Sequence, residues 1–326
     1  MLPIAVDAMG GDNAPGEIVE GARRAVAEAG APVVLVGRPD DLAALRGDLD
    51  LIEASQVIGM DADPGSSVRT MKDSSLVRAA EAVRDGKAAA MVSAGNTGAA
   101  MASALLRMGR IKGVSRPAIA TPIPVPGSTP TVLLDAGANA ECQAAWLVQF
   151  AQMGAVFARE RYGVEAPRVG LLSIGEESSK GNPLVKETHA LLADPAALAL
   201  SGARFVGNVE GRDIMTDEVD VVVTDGFTGN VALKTLEGGM RALVRSVLDA
   251  LGATSVADEA LAALMPLYAT LDPDQHGGAM LLGVDGVCII SHGSSSATAI
   301  VNAVRVAREM VEAGIVERLR AAVAPR

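Results

Sequence analysis

The sequence predicts a three-layer α/β fold in which helices cover both faces of a mostly parallel sheet. Short β-branched or aliphatic segments alternate with alanine-rich segments of helical period, which is typical of this class. Hydrophobic residues make up 49% of the 326 residues and aromatic residues only 2%, so aliphatic side chains must form the core. A chain of this length can bury a large core of that kind.

Eight segments are predicted as strands, because each is a short aliphatic run bounded by turn residues. These segments are residues 3–6, 32–37, 88–93, 131–135, 168–175, 203–207, 219–225 and 286–291. The proline-rich segment 121–130 is expected to be a connection between elements. No repeat or linker divides the chain, so residues 1–326 are expected to form a single domain.

Residues 235–271 interrupt the alternation of strands and helices. Apolar residues between 235 and 253 recur at the spacing of one helix face, and a second helical segment follows that we expect to break near Pro266. The two segments therefore predict a helical hairpin whose apolar faces pack on each other or on the sheet. The alternative is that the apolar segment 264–268 docks on a membrane surface or a second subunit.

Composition and missing motifs exclude several functional classes. A formal net charge of −11 and the scarcity of aromatic residues oppose nucleic-acid binding. Cys142 and Cys288 have neither metal-ligand nor disulfide spacing, and no segment has the character of a signal peptide or a membrane span, so a cytoplasmic protein without metal is expected. The P-loop and dinucleotide-binding motifs are absent, and no cofactor is expected.

Six predicted strands end in polar loops that contain glycine. In a parallel sheet the carboxyl ends of the strands share one edge, so we expect these loops to converge on one site. Backbone N–H groups at a helix N-terminus favour an anion there, which predicts a site for inorganic phosphate or an acyl phosphate. The alternative for each loop is a helix cap without a ligand. The loops begin at Asp7, Ser93, Asp135, Gly175, Thr224 and Ser291.

A set of ordered motifs resembles the PlsX family of bacterial phosphate acyltransferases. The matching motifs include VDAMGGDNAPGEIVEGA, VSAGNTGA, LLSIGEESSKGN, VVTDGFTGNVALKTLEG and GGAMLLGVDGVCIISHGSSSATAI. The resemblance extends from residue 4 to about residue 310. Two positions depart from it, because Met71 replaces a frequent basic residue and Met280 replaces a usual proline.

The resemblance implies transfer of a long-chain acyl group from acyl carrier protein to inorganic phosphate, which yields acyl phosphate for phospholipid synthesis. It also implies a fold similar to phosphotransacetylase and isocitrate dehydrogenase. A cytoplasmic homodimer is expected, with peripheral membrane contact and a downstream membrane acyltransferase as a further partner. Two alternatives stay open, a non-catalytic carrier- or lipid-binding protein and a dehydrogenase on a related scaffold.

Acyl transfer to phosphate requires a positioned phosphate, a stabilised oxyanion and a proton for the leaving thiolate. His292 is the candidate proton donor, and Lys180 and Lys234 are the candidate cations. Catalytic roles are predicted for Lys180, Asp225, Asn230 and His292. Substrate and phosphate binding is predicted for Ser93, Asn96, Thr97, Thr228, Lys234, Asp12, Asn139 and Ser294. The alternatives are an exposed loop lysine for Lys180 and a strand-end residue bonded to backbone for His292.

Two further features bear on the acyl donor. Cys142 could carry the acyl group covalently, but no neighbouring histidine would activate it, and an inert thiol is the favoured interpretation. An acidic carrier protein would be repelled by this acidic chain, so a local basic patch is expected. The predicted docking residues are Arg107, Arg110, Lys112 and Arg116, with a solvated turn as the alternative.

Overall fold

The computed structural model describes residues 1–252 and 257–323, and its centre is one eleven-stranded sheet. The eight predicted strands are confirmed, and three further strands are present. The strands are β1 (Ile4–Asp7), β2 (Val33–Gly37), β3 (Asp50–Glu53), β4 (Ala90–Ser93), β5 (Ala118–Ile123), β6 (Thr131–Leu134), β7 (Arg168–Leu172), β8 (Arg204–Val209), β9 (Val221–Val223), β10 (Ala279–Leu282) and β11 (Val287–Ile290).

Helices cover both faces of this sheet, which gives the predicted three layers. Successive residues of a strand point to opposite faces, so Val6 joins one buried cluster and Ala5 joins the other. Helices α1, α6, α10 and α11 pack on the Val6 face, and α3, α4, α5 and α8 pack on the Ala5 face. The helices are α1 (Gly16–Ala29), α2 (Pro39–Leu42), α3 (Pro64–Thr70), α4 (Ser75–Arg84), α5 (Thr97–Arg107), α6 (Ala144–Tyr162), α7 (Pro183–Leu192), α8 (Gly226–Gly252), α9 (Ala257–Leu271), α10 (Ala297–Glu312) and α11 (Ile315–Ala322).

The strands in the two halves of the sheet run in opposite directions. The order is β3-β2-β1-β4-β11-β10-β5-β6-β9-β7-β8. The first five strands are parallel to one another, and so are the last four. Both β10 and β5 are antiparallel to their neighbours, so the two parallel groups run in opposite directions.

This reversal corrects the prediction that all polar strand-end loops share one edge. The carboxyl ends of β1, β4 and β11 lie at one edge, which we call the first edge, and those of β6, β7 and β9 lie at the opposite, second edge. The sequence interpretation missed β5 because Pro122 lies within it, and its Pro-rich segment 121–130 is therefore partly strand. Long-range pairing sets strand direction, and local patterns do not reveal it.

The helical hairpin is present but differs in detail from its prediction. Helix α8 begins at Gly226 instead of residue 235, and α9 continues through Pro266 to Leu271, so the expected break is wrong. Proline removes one helical hydrogen bond, but in an exposed helix water can bond to the carbonyl that is left without a partner. Residue 253, the predicted end of the first helix, lies outside the described residues.

The hairpin leaves much of its apolar surface exposed. Leu243 is 65% exposed and Met265 is 56% exposed, although α8 and α9 contact each other. The expected packing of the apolar faces is therefore only partly present. Across residues 1–252 and 257–323, no helix has both the length and the apolar character to cross a membrane.

Candidate active site

A cleft of about 390 Å³ lies between α8 and the face of the sheet formed by β5 and β10. Alternate residues of β5 point into the cleft from the sheet, and residues spaced by three or four positions point into it from α8. One part of the lining is apolar and the other is polar. The apolar side chains include Ile119, Ile123, Leu233, Leu236, Met240 and Leu271.

The polar part of the cleft is centred on His292 and Lys234. The Lys234 Nζ atom lies 2.8 Å from Glu237 Oε2 and 3.5 Å from His292 Nε2. His292 Nδ1 lies 2.8 Å from Ser294 Oγ, and the Ser294 backbone N–H also approaches it at 3.3 Å. This chain of polar groups can place a positive charge and a proton donor beside a bound anion.

Helix α8 connects the two edges of the sheet. At its start, the Gly226 N–H donates to the Asn139 carbonyl at 2.7 Å, in a loop of the second edge. Asn230 lies one turn further and adjoins Gly137, while Lys234 lies one more turn along and reaches His292 at the first edge. Asn230, Lys234 and His292 therefore share one cleft although their loops follow strands of opposite direction.

Loops of the first edge complete the polar part of the cleft. The Asp12 N–H donates to the Gly293 carbonyl at 2.8 Å, which joins the loop after β1 to the loop after β11. Gly11 has a φ of +110°, and a Cβ there would lie 3.1 Å from the Gly293 oxygen. Thr97 opens α5 and also lines the cleft, so the positive end of that helix dipole favours an anion at this position.

Two predicted phosphate ligands lie beneath this surface and shape its loop. Ser93 Oγ donates to Asp7 Oδ2 at 2.7 Å and accepts from the Gly95 N–H at 3.0 Å. Asn96 Oδ1 accepts from the Ala99 N–H at 3.0 Å and caps α5. Both side chains are buried, and the structure gives them a role in holding the loop.

Asp7 is the buried support of the first edge. Burial raises the pKa of its carboxyl, while hydrogen bonds from Ser75, Ser93 and the Met9 N–H oppose that rise. The space around it is also closed, because a Cβ on Gly10 would lie 2.6 Å from Asp7 Oδ2. Asp7 therefore orients the neighbouring donors of this loop.

Asp135 has the corresponding position at the second edge. Its carboxylate accepts from the N–H groups of Ile119, Gly137, Ala138 and Asn139 and from Asn139 Nδ2. Burial raises the pKa of this carboxyl although these donors oppose the rise. Asp135 thereby ties β5, the loop after β6 and Asn139 into one rigid unit.

The other predicted residues of the second edge lie at the start of α8 and in the loop after β7. Asp225 accepts from the Thr228 N–H at 2.9 Å and from its hydroxyl at 2.8 Å, so the pair caps α8. Asn139 Nδ2 also donates to the Pro117 carbonyl at 2.8 Å. Lys180 is exposed, is not among the described residues that line the cleft, and donates its backbone N–H to the Glu177 carbonyl.

The structure thus gathers only part of the predicted site. Glu237 and the apolar wall of the cleft were missed. The spacing of Glu237 three residues after Lys234 was the available signal. Of the predicted residues, Asp12, Thr97, Asn230, Lys234 and His292 line the cleft, and the Ser294 hydroxyl bonds to His292.

The Cys142 thiol is not activated as a nucleophile. Burial raises the pKa of the Cys142 thiol to about 12, and its Sγ lies 3.6 Å from the Asn139 carbonyl, so little thiolate exists near neutral pH.

Within the described ranges, no three His, Cys, Asp or Glu side chains are grouped as metal ligands.

The predicted basic patch separates into one paired residue and three exposed ones. Arg107 lies 3.6 Å from Glu81 and donates to the Val68 carbonyl. Arg110 donates to the Ser115 carbonyl, and Arg116 stacks over the Trp146 ring at 5.0 Å. Arg110, Lys112 and Arg116 are exposed.

Comparison with known sequences assigns the chain to a family. A family described as fatty acid synthesis protein matches residues 2–318. A phosphate acyltransferase of Elusimicrobium minutum is 47% identical, with 98% of this chain and 95% of the relative covered. A phosphate acyltransferase of Heliobacterium modesticaldum is also 47% identical, with 98% and 97% covered.

Solved structures show the same fold at low sequence identity. A phosphotransacetylase from Streptococcus pyogenes superposes with a TM-score of 0.62 at 17% identity and covers 97% of this chain and 94% of its own. A phosphotransacetylase from Staphylococcus aureus gives a TM-score of 0.62 at 14% identity, with 95% and 94% covered. A 4-hydroxythreonine-4-phosphate dehydrogenase from Klebsiella pneumoniae gives 0.51 at 13% identity, with 95% and 100% covered. The predicted fold class is confirmed.

Proposed function

Since the chain belongs to the fatty acid synthesis protein family of phosphate acyltransferases, we propose that it transfers a long-chain acyl group from acyl carrier protein to inorganic phosphate. One observation carries this proposal. The cleft beside α8 joins a polar part, with Lys234, His292 and the N-terminus of α5, to an apolar part. An acyl thioester and a phosphate need these two environments side by side.

The reaction follows from the chemistry of the polar part. Lys234 and the first turn of α5 hold the phosphate, whose oxygen attacks the thioester carbonyl carbon. A C–O bond forms, and the carbonyl electron pair moves to the oxygen, where nearby donors such as Asn230 stabilise it. The oxyanion's electron pair then re-forms the C=O bond as the C–S bond breaks, and the C–S electron pair leaves with sulfur. His292 donates a proton to the thiolate and regains one from the P–OH group of the bound hydrogen phosphate.

The low reactivity of Cys142 favours direct transfer of the acyl group to phosphate. With a pKa raised to about 12, its thiol is a weak nucleophile near neutral pH. Phosphate is already an anion at that pH and needs little help from a general base. We therefore propose that no covalent acyl-enzyme forms.

The assay of this function uses the purified protein, an acyl carrier thioester and inorganic phosphate, without nucleotide or added metal. We expect acyl phosphate and free carrier in equal amounts, and no acyl phosphate when phosphate is omitted. Tight thioester binding without turnover would favour the carrier- or lipid-binding alternative. Reduction of a nicotinamide cofactor by a hydroxylated substrate would favour the dehydrogenase alternative.

The exposed basic residues are proposed to dock the acyl carrier protein. Lys112 and Arg116 are exposed on a chain of net charge −11, so they offer a local positive surface to an acidic partner. The double variant Lys112→Glu/Arg116→Glu should raise the KM for the carrier thioester about tenfold, because complementary charge steers association. The KM for phosphate should stay unchanged in the same steady-state assay.

The matched control reverses two exposed charges elsewhere, in Lys186→Glu/Arg204→Glu. Its KM for the carrier should equal that of the wild type. An equal rise of the carrier KM in both double variants would mean that net charge alone causes the rise. That outcome would contradict a docking patch.

We further propose a cytoplasmic homodimer with peripheral membrane contact, which delivers acyl phosphate to a downstream membrane acyltransferase. The exposed apolar side chains of the hairpin support these contacts, because such side chains favour burial against a partner subunit or a lipid surface. Leu243, Val247 and Leu248 project from α8, and Met265, Leu267 and Tyr268 project from α9.

A further inference from the structure

We propose that the apolar part of the cleft is the binding site for the acyl chain, and that Leu236 and Met240 determine which chain lengths are accepted. This inference rests on the proposed function and deepens it. It assigns a specificity role to Leu236 and Met240, which were not among the predicted site residues.

Two facing apolar walls define this part of the cleft. Ile119 and Ile123 alternate along β5 and point to the same side of the sheet. On α8, Leu233, Leu236 and Met240 recur at the spacing of one helix face. Leu236 packs against the buried cluster that contains Ile123, so these walls meet at one side of the cleft.

The cleft that these walls line is large enough for a ligand. Its polar and apolar parts together have a volume of about 390 Å³. That volume lies within the range of small-molecule sites. Leu233, Leu236 and Met240 are only half-buried, so apolar surface remains for a ligand to cover.

The polar and apolar linings lie on different sides of the same helix. Lys234 contacts Glu237 and His292, while Leu236 packs against the Ile123 cluster. A thioester carbonyl beside Lys234 would therefore place its alkyl chain along the apolar wall. Met240 lies about 9 Å beyond Lys234 along the helix axis, far enough to meet the chain away from its reacting end.

Each additional methylene that such a wall buries should strengthen binding about fourfold. A bulky side chain at position 236 or 240 would remove the space for the distal methylenes. It would leave the polar part unchanged. Chain-length preference, and not phosphate binding, is therefore the property that should respond.

The test measures acyl phosphate formation by Leu236→Trp and Met240→Trp with octanoyl, dodecanoyl and hexadecanoyl carrier thioesters. We expect kcat/KM for the hexadecanoyl substrate to fall about tenfold or more relative to the octanoyl substrate. The KM for phosphate should equal that of the wild type. The control is Leu191→Trp in α7, because Leu191 is 44% exposed and is not among the described residues lining the cleft.

A second variant and a second readout keep the proposal testable if a tryptophan variant does not fold. Met240→Ala enlarges the cleft and should improve long chains relative to short ones. Dissociation constants for thioether analogues of the same three lengths repeat the comparison without turnover.

The two proposals fail differently. A wild type that forms no acyl phosphate from any thioester overturns the proposed function, and the thioether measurement still tests the acyl site. Length profiles identical to the wild type in both tryptophan variants and in Met240→Ala overturn the acyl site and leave the function intact.

Discussion

Replacing Lys234 with Ala should lower kcat/KM for acyl phosphate formation by about 10²- to 10³-fold, the loss typical of a removed oxyanion or phosphate donor. Lys234 is the one Lys or Arg among the described residues that line the cleft. Its Nζ lies between Glu237 and His292, so its removal takes the fixed positive charge from the place where negative charge develops. Steady-state kinetics with the carrier thioester and phosphate measures the loss.

Two further variants define what that loss means. Arg241→Ala removes an exposed charge further along α8 and should retain wild-type activity. Lys180→Ala removes the cation of the second edge, which is a predicted catalytic residue outside the described lining of the cleft. If Lys180→Ala abolishes turnover while Lys234→Ala stays within threefold of the wild type, the reaction takes place at the second edge. That result would contradict the assignment of the cleft as the active site.

Replacing Asp135 with Ala should lower the free energy of unfolding by about 3 to 5 kcal/mol, because several hydrogen-bond donors lose their acceptor at once. The substitution leaves the buried N–H group of Ile119 and the half-buried N–H group of Ala138 without their acceptor, together with other donors of the loop. An unpaired buried donor costs about 1 to 3 kcal/mol. Urea unfolding followed by circular dichroism measures the change.

Asp225→Ala is the matched control for this loss of stability. Asp225 also accepts hydrogen bonds at a strand end, but it caps an exposed helix start. Its removal should cost only about 1 kcal/mol, as for other N-caps. An equal, small loss in both variants would show that the Asp135 network contributes little to the stability of the second edge.

Local patterns were sufficient for much of the fold. Aliphatic runs between turn residues identified strands such as β4 and β9, because buried parallel strands are apolar on both faces. Strand β5 escaped because Pro122 lies in it. Strand β3 escaped as well, since its ends Asp50 and Glu53 are exposed and its pattern is weakly apolar. The family resemblance did not depend on these elements.

The candidate site was predictable by residue type and only partly by place. Small polar residues at strand ends marked the loops that line or support the cleft, and His292 and Lys234 were among the candidates. Ser93 and Asn96 have the composition of ligands but satisfy Asp7 and the α5 terminus instead. A hydroxyl or an amide can do either, and only its neighbours in space decide.

The sequence by itself determined the alternating α/β elements, the glycine-bearing loops suited to a small anion, and membership of a phosphate acyltransferase family. Only the tertiary structure decided which of those loops meet. Because β5 and β10 are antiparallel to their neighbours, the loops lie at two opposite edges of the sheet. Helix α8 extends from one edge to the other, so Asn230 and Lys234 lie in the same cleft as His292. Strand direction and helix path depend on contacts between distant segments, which a local sequence pattern does not contain.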